Sequence, residues 1–120
     1  MAARYHSNGL RVIDQELIDE VVATIVAHVH PDRIVLFGSH VRGDAGPDSD
    51  LDLMIEMESP LRPIDRAVAI GRLFPQRRWP FDVVVYTPAE VERDRGRVGT
   101  LLSMIEADGR ALYVNSRITA

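Results

Sequence analysis

The chain contains no cysteine, which rules out disulfides and thiol chemistry. It contains no lysine either: all 14 of its basic residues are arginine. That excludes Schiff-base chemistry, a lysine nucleophile and the P-loop phosphate motif, which requires its lysine. Any phosphate recognition must therefore use arginine, backbone N–H groups or a metal. The plain reading of the arginine usage itself is codon bias in a G+C-rich genome. No apolar run approaches the roughly 20 residues needed to cross a bilayer. The opening residues, MAARYHSNGL, lack the apolar segment of a secretory signal. The expectation is a cytoplasmic protein with no membrane attachment. Excess positive charge is also missing, since the formal net charge is −4. With no global positive field, direct nucleic-acid binding is not expected.

What is present fits one globular domain spanning residues 1–120, with 46% apolar and 27% charged residues. Residues 1–12 read as a loosely held lead-in with a turn at Asn8-Gly9. Leu17, Val21, Val22, Ile25, Val26 and Val29 recur at helical spacing, predicting a helix from Asp14 to Val29 that Pro31 closes. Arg33 to Phe37 has the continuous apolar pattern of a strand buried on both faces. One helical turn over 39–43 and a loop over 44–49 follow, the latter nearly all turn formers. Asp50 to Met57 alternates as a strand, with Leu51, Leu53 and Ile55 on one face and Asp50, Asp52, Met54 and Glu56 on the other. A helix over 62–74 presents Ile64, Ala67, Val68, Gly71 and Phe74. Phe81 to Tyr86 is a third strand. Thr87-Pro88-Ala89-Glu90 is a capping box opening a helix that Gly96 and Gly99 weaken, with a break expected near 96–99. Ala111 to Val114 reads as a last strand. The dozen residues between the first two strands hold no long helix, which favours a mixed sheet over a simple βαβ crossover there. The fold class is α/β (α+β), a small mixed sheet flanked by helices.

The chemistry concentrates in FGSHVRGDAGPDSDLDL, residues 37–53. Packed carboxylates repel each other and resist burial unless something positive binds among them. Asp50 and Asp52 lie two apart on a strand, so both side chains leave the same face. Hard oxygen ligands of this kind suit Mg²⁺, and a pair of divalent ions held roughly 3.5–4 Å apart stabilises attacking and leaving oxygens together. Asp82, a carboxylate near the start of the otherwise apolar FDVVVY, is the obvious third member. Gly38-Ser39 follows a buried strand and opens a turn, a geometry that presents backbone N–H groups to an anion. Ser39 can cap that turn or bond a phosphate oxygen, and Arg42 projects toward the same side. Asp44 and Asp48 belong to the connecting loop. An EF-hand reading of Asp48, Asp50 and Asp52 fails, because Leu53 stands where glycine is required and Ser59 where the bidentate glutamate should be.

Gly-Ser-x-x-Arg-Gly followed by Ser-Asp-x-Asp-Leu, here residues 38–43 and 49–53, resembles the signature of the DNA polymerase β-like nucleotidyltransferase superfamily. Phe81-Asp82-Val83 matches its third acidic position. The short chain resembles the minimal nucleotidyltransferases, stand-alone domains often encoded beside a HEPN-domain ribonuclease toxin, for which they act as antitoxin. The resemblance implies the polymerase β-like fold and transfer of AMP from ATP to a tyrosine hydroxyl of the HEPN toxin, with which the chain would form a hetero-oligomer. Asp50, Asp52 and Asp82 would be the catalytic carboxylates and ligands of Mg²⁺, two ions in all. Asp82 would alternatively be the base that takes the acceptor's proton. Gly38, Ser39 and Arg42 would bind the nucleotide. Two other functions compete: a non-catalytic antitoxin that neutralises by binding, and transfer to a small molecule or RNA. The cluster also predicts that, without metal, at least one of Asp50, Asp52 and Asp82 titrates above its ordinary value.

The remaining polar residues read more plainly. His40 is expected to face solvent. His28 and His30 do not share a helical face and make no metal site. Arg77-Arg78-Trp79 reads as a solvated loop with one anchoring aromatic, or as a stacking surface for a base or acceptor. Arg93, Arg95 and Arg97 form a solvated face, and Tyr86 fills the sheet surface or lines a pocket.

Overall fold

Helix α1 (Gln15–Val29) begins at Asp14, whose carboxylate accepts from the Leu17 N–H and satisfies one of the donors a helix start leaves open. The computed structural model describes residues 2–116. After α1 come β1 (Arg33–Phe37), a single turn α2 (Ser39–Arg42), β2 (Leu51–Glu56), α3 (Pro63–Gly71) and β3 (Phe81–Tyr86). Helices α4 (Pro88–Asp94) and α5 (Leu101–Asp108) and strand β4 (Arg110–Val114) complete it. The break between α4 and α5 falls where the glycines predict it, with Gly96 and Gly99 both at positive φ. Thr87 and Glu90 form the reciprocal capping box of α4, and Thr100 caps α5.

The four strands lie in the order β3-β2-β1-β4. β1 is antiparallel to β2 and to β4, whereas β2 and β3 are parallel and joined through α3. This is the mixed sheet expected from the short β1–β2 connection. Alternation along β2 divides the interior. Leu51, Leu53 and Ile55 pack with Leu17, Val21 and Ile25 of α1, with Ile70 and with Val85. Met54 enters a smaller cluster on the opposite face with Val35, Val91, Leu102 and Ile105. Among the described residues no helix is long and apolar enough to cross a membrane.

Two local expectations are corrected. Helix α3 does not bury the Ile64, Val68 stripe: these side chains are 69% and 46% exposed, and the helix buries Arg66 and Ile70 instead. The reason is hydrogen bonding, which apolar periodicity does not register. The Arg66 guanidinium donates to the Leu61 carbonyl at 2.8 Å, the Val85 carbonyl at 3.3 Å and Glu90 Oε1 at 2.7 Å. That set clamps α3 to β3 and to the start of α4 in one orientation. Phe74 lies beyond the helix and meets Trp79 and Phe81 edge-on, at centroid separations of 5.9 and 5.5 Å. The N-terminal lead-in is also tied down rather than loose. Tyr5 bridges Arg11, the Arg11 N–H donates to the Arg78 carbonyl at 2.7 Å, and Asn8 donates to Asp48 at 3.1 Å.

Candidate active site

Strand register assembles the site. Phe37, the last residue of β1, lies opposite Asp52 of β2, and Asp52 lies directly beside Asp82 of the parallel strand β3. Direct neighbours in a sheet point to the same face, so Asp52 and Asp82 emerge together with Met54 and Val84. Asp50, just before β2 begins, adds a third carboxylate. One oxygen from each of Asp50, Asp52 and Asp82 lies within 4.8 Å of the others. Asp50 and Asp82 are exposed, and Asp52 is half-buried between them.

Asp52 carries the electrostatic consequence. Burial, followed by the charges of Asp82 and Asp50, pushes its carboxyl up to about 6, with Arg42 pulling the other way. The sequence-based expectation that one member of the cluster titrates high is met here. Three carboxylates this close, one of them raised by burial and by its neighbours, fit a hard divalent cation by charge and by ligand type.

Gly38 has two reasons to be glycine. Its φ of 81° lies in the left-handed region, and a Cβ there would overlap Oδ2 of Asp52. The residue expected to bring backbone near phosphate thus also makes room for the central carboxylate. Ser39 is the first helical residue of α2 and not its cap, a correction: the cap position is Gly38, with no side-chain hydrogen bond. Gly43, at φ 86°, ends the turn by returning its N–H to the Ser39 carbonyl. Arg42 lies at the site, its Nε 3.3 Å from Asp44 in an exposed ion pair.

Gly38, Ser39 and Arg42 share a cleft of about 420 Å³ with Asp48, Asp50 and Asp52. Its far wall is α5, through Met104, Ile105 and Asp108. Sequence reasoning missed this wall. Ile105 is visible as an apolar helix position, but nothing in the spacing brings α5 to the ends of β1 and β2. Asp48, read as connector, also faces the cleft while accepting from Asn8. Asp82 does not line this cleft; it borders a groove of about 520 Å³ on the α3 side. The carboxylates therefore form the ridge between two openings.

Other polar residues sort simply. His40 is not solvent-facing: it is half-buried, with its Nε2 enclosed and without a partner. His28 bonds the Thr24 carbonyl at 2.8 Å within its own helix. Trp79 is the anchor of an otherwise exposed Arg77-Arg78 loop. Arg93, Arg95 and Arg97 pair with Asp94 or Glu92 at the surface. Tyr86 packs against the smaller cluster, where burial pushes its hydroxyl up.

This arrangement of a mixed sheet, a glycine-serine turn and paired strand carboxylates is that of a nucleotidyltransferase, and comparison with known proteins agrees. The sequence profile of the family described as "Nucleotidyltransferase domain" matches residues 18–113, so the chain belongs to that family. No curated protein sequence matches it. Among solved structures, a protein from Sulfolobus solfataricus classed as a nucleotidyltransferase superposes with a TM-score of 0.58 at 21% identity, over 83% of this chain and 79% of that one. A toxin–antitoxin with AMP-PNP gives 0.60 at 19% identity, over 82% and 74%. A mutant of the toxin–antitoxin MntA-HpeT gives 0.59 at 19% identity, over 83% and 74%. At these identities the structural likeness establishes the fold.

Proposed function

We propose that this domain is a Mg²⁺-dependent nucleotidyltransferase that moves AMP from ATP to a hydroxyl, that of a tyrosine on a HEPN-domain toxin, and so acts as the toxin's antitoxin in the cytoplasm. The observation that carries the transfer reading is the convergence of Asp50, Asp52 and Asp82 within 4.8 Å beside the Gly38-Ser39 turn. Support for a toxin partner comes from the two similar structures that are toxin–antitoxin complexes, one of them with AMP-PNP. The partner would make the functional unit a hetero-oligomer.

Asp50, Asp52 and Asp82 would hold Mg²⁺, two ions in all, whose positive charge offsets the carboxylates and the triphosphate when bound. The chain's own groups do the rest. Gly38 and Ser39 hold the triphosphate through backbone N–H groups and the Ser39 hydroxyl, and Arg42 exchanges its exposed pairing with Asp44 for a phosphate oxygen. Asp82 takes the proton of the acceptor hydroxyl. The acceptor oxygen bonds to the α-phosphorus as the bond to the bridging oxygen breaks, and pyrophosphate leaves with that electron pair. Positioning and charge neutralisation supply the rate enhancement.

The test is transfer of radiolabel from α-labelled nucleotide to the product of the neighbouring gene, which this reading requires to be a HEPN-domain protein. Label on that protein, dependent on Mg²⁺ and on Asp50 and Asp52, is the expected result. No transfer by folded protein with any of the four nucleotides overturns the reading. An Asp50→Asn/Asp52→Asn double variant that still neutralises the toxin fully would show that contact suffices.

A further inference from the structure

We infer that the groove between α3 and the outer edge of β3 is the docking site of the acceptor protein, which enters as a segment bearing an apolar side chain and a carboxylate beside its reactive hydroxyl. This deepens the proposed function and rests on its reading of the domain as a transferase acting on a protein. In-line displacement sets the direction of approach. The attacking oxygen must come from the side of the α-phosphorus opposite to the departing pyrophosphate. The triphosphate side of the ridge is the cleft of Gly38, Ser39 and Arg42, which Asp82 does not line. Asp82 borders instead the groove lined by Ile64, Val68, Arg72, Arg77 and Val83. The residue assigned to the acceptor's proton thus stands on the edge strand where this groove meets the carboxylate face, its side chain leaving the sheet beside Asp52.

The groove's chemistry specifies its occupant. Ile64 and Val68 are exposed although they are large and apolar, and they sit along one side of it. Their exposure is built in, because the three hydrogen bonds of buried Arg66 hold α3 in the orientation that turns them outward. Arg72 and Arg77 join no ion pair among the described residues, whereas neighbouring Arg62, Arg66 and Arg93 each do. Arg77 is held in place by donating Nη1 to the Gly71 and Phe74 carbonyls, at 3.2 Å each. Two guanidiniums without an acidic partner beside an apolar rim, on a chain of net charge −4, call for a carboxylate next to an apolar contact. The opposite wall is β3, an edge strand paired only with β2, so an extended segment can lie along it.

The test uses three variants at exposed positions away from the nucleotide cleft, Ile64→Asp, Val68→Asp and Arg72→Glu, with the same neighbouring-gene product as acceptor. Three quantities are measured: transfer kinetics against acceptor concentration, affinity for Mg²⁺ with a non-hydrolysable ATP analogue, and affinity for the acceptor by calorimetry. The expected result is a tenfold or greater rise in the KM for acceptor with analogue affinity within twofold of the parent and an unchanged melting temperature. Parental acceptor KM in all three variants overturns the docking site while leaving the transferase reading intact. If the parent transfers no label, the transferase reading falls. Docking is then decided by calorimetry, where a tenfold loss of acceptor affinity supports it and parental affinity overturns it.

Discussion

On one face of the sheet Leu51, Leu53 and Ile55 of β2 meet α1 across a continuous apolar core. On the other face the same strand presents Met54 to a smaller cluster and, nearer its start, Asp52 to a pair of neighbouring carboxylates. Adjacent residues of one strand thus live in opposite environments, and the contrast shows how a small domain tolerates an unfavourable site. The first face holds the strands in register whether or not anything binds. The second can then carry three carboxylates whose mutual repulsion costs stability, a cost that a bound cation would offset.

The comparison can be broken from either side. The largest effect expected is on the chemical face: Asp52→Asn should lower nucleotidyl transfer at least about a thousandfold, on the order of 4 kcal/mol of transition-state stabilisation, with the protein still folded. Label transfer and circular dichroism on the same sample check this. The mirror experiment on the structural face is Leu53→Ala, one residue along. It should cost about 3 kcal/mol in urea denaturation, since a fully buried leucine leaves a cavity. Gly38→Ala affects both stability and the site. A methyl forced against Asp52 at positive φ should cost about 2 kcal/mol and weaken Mg²⁺-nucleotide binding tenfold or more. Calorimetric titration reads the second effect separately from the first.

The smallest effect is the most specific. A carboxyl raised to about 6 binds more protons in the folded than in the unfolded chain between its ordinary value and 6, so stability falls as pH rises through that window. Asp52→Asn should therefore be more stable than the parent above pH 6 in the absence of metal. The margin is on the order of 1 kcal/mol after allowing for solvent screening of a half-exposed group. Below pH 4 the difference should vanish. Asp14 and Glu90 act oppositely. The Leu17 N–H at the α1 cap holds Asp14 low, and the Thr87 N–H with Arg66 holds Glu90 low against its burial; their contributions persist above the ordinary carboxylate value and fade only at lower pH. The interval from 4 to 6 thus reports on Asp52.

Most of the fold was legible because its signals are local. The helix start at Asp14, the capping box at Thr87, the alternation of Leu51, Leu53 and Ile55, and the glycines at 96 and 99 each act within a few residues. The three carboxylates were legible by residue type and strand parity, although Asp82 stands 30 positions after Asp52. What was hidden depends on distant partners. Arg66 inverts the face of α3 through acceptors on Leu61, Val85 and Glu90. Met104 and Asp108 reach the cleft only because α5 folds back over the ends of β1 and β2. Gly109 permits that return: a Cβ there would meet the Ile105 carbonyl and the Val35 side chain. No periodicity within a single segment encodes such contacts.

The proposed mechanism requires that Asp50, Asp52 and Asp82 form one cation site. Carbon-detected NMR titration of the Asp52 carboxyl tests it most directly, first without divalent ions and then with Mg²⁺ and a non-hydrolysable ATP analogue. The expected midpoint is near 6 without metal and below 4 when the cation is bound, because a ligated carboxylate resists protonation. A midpoint in the ordinary aspartate range without metal, or one near 6 that Mg²⁺ and nucleotide leave unmoved, would contradict it.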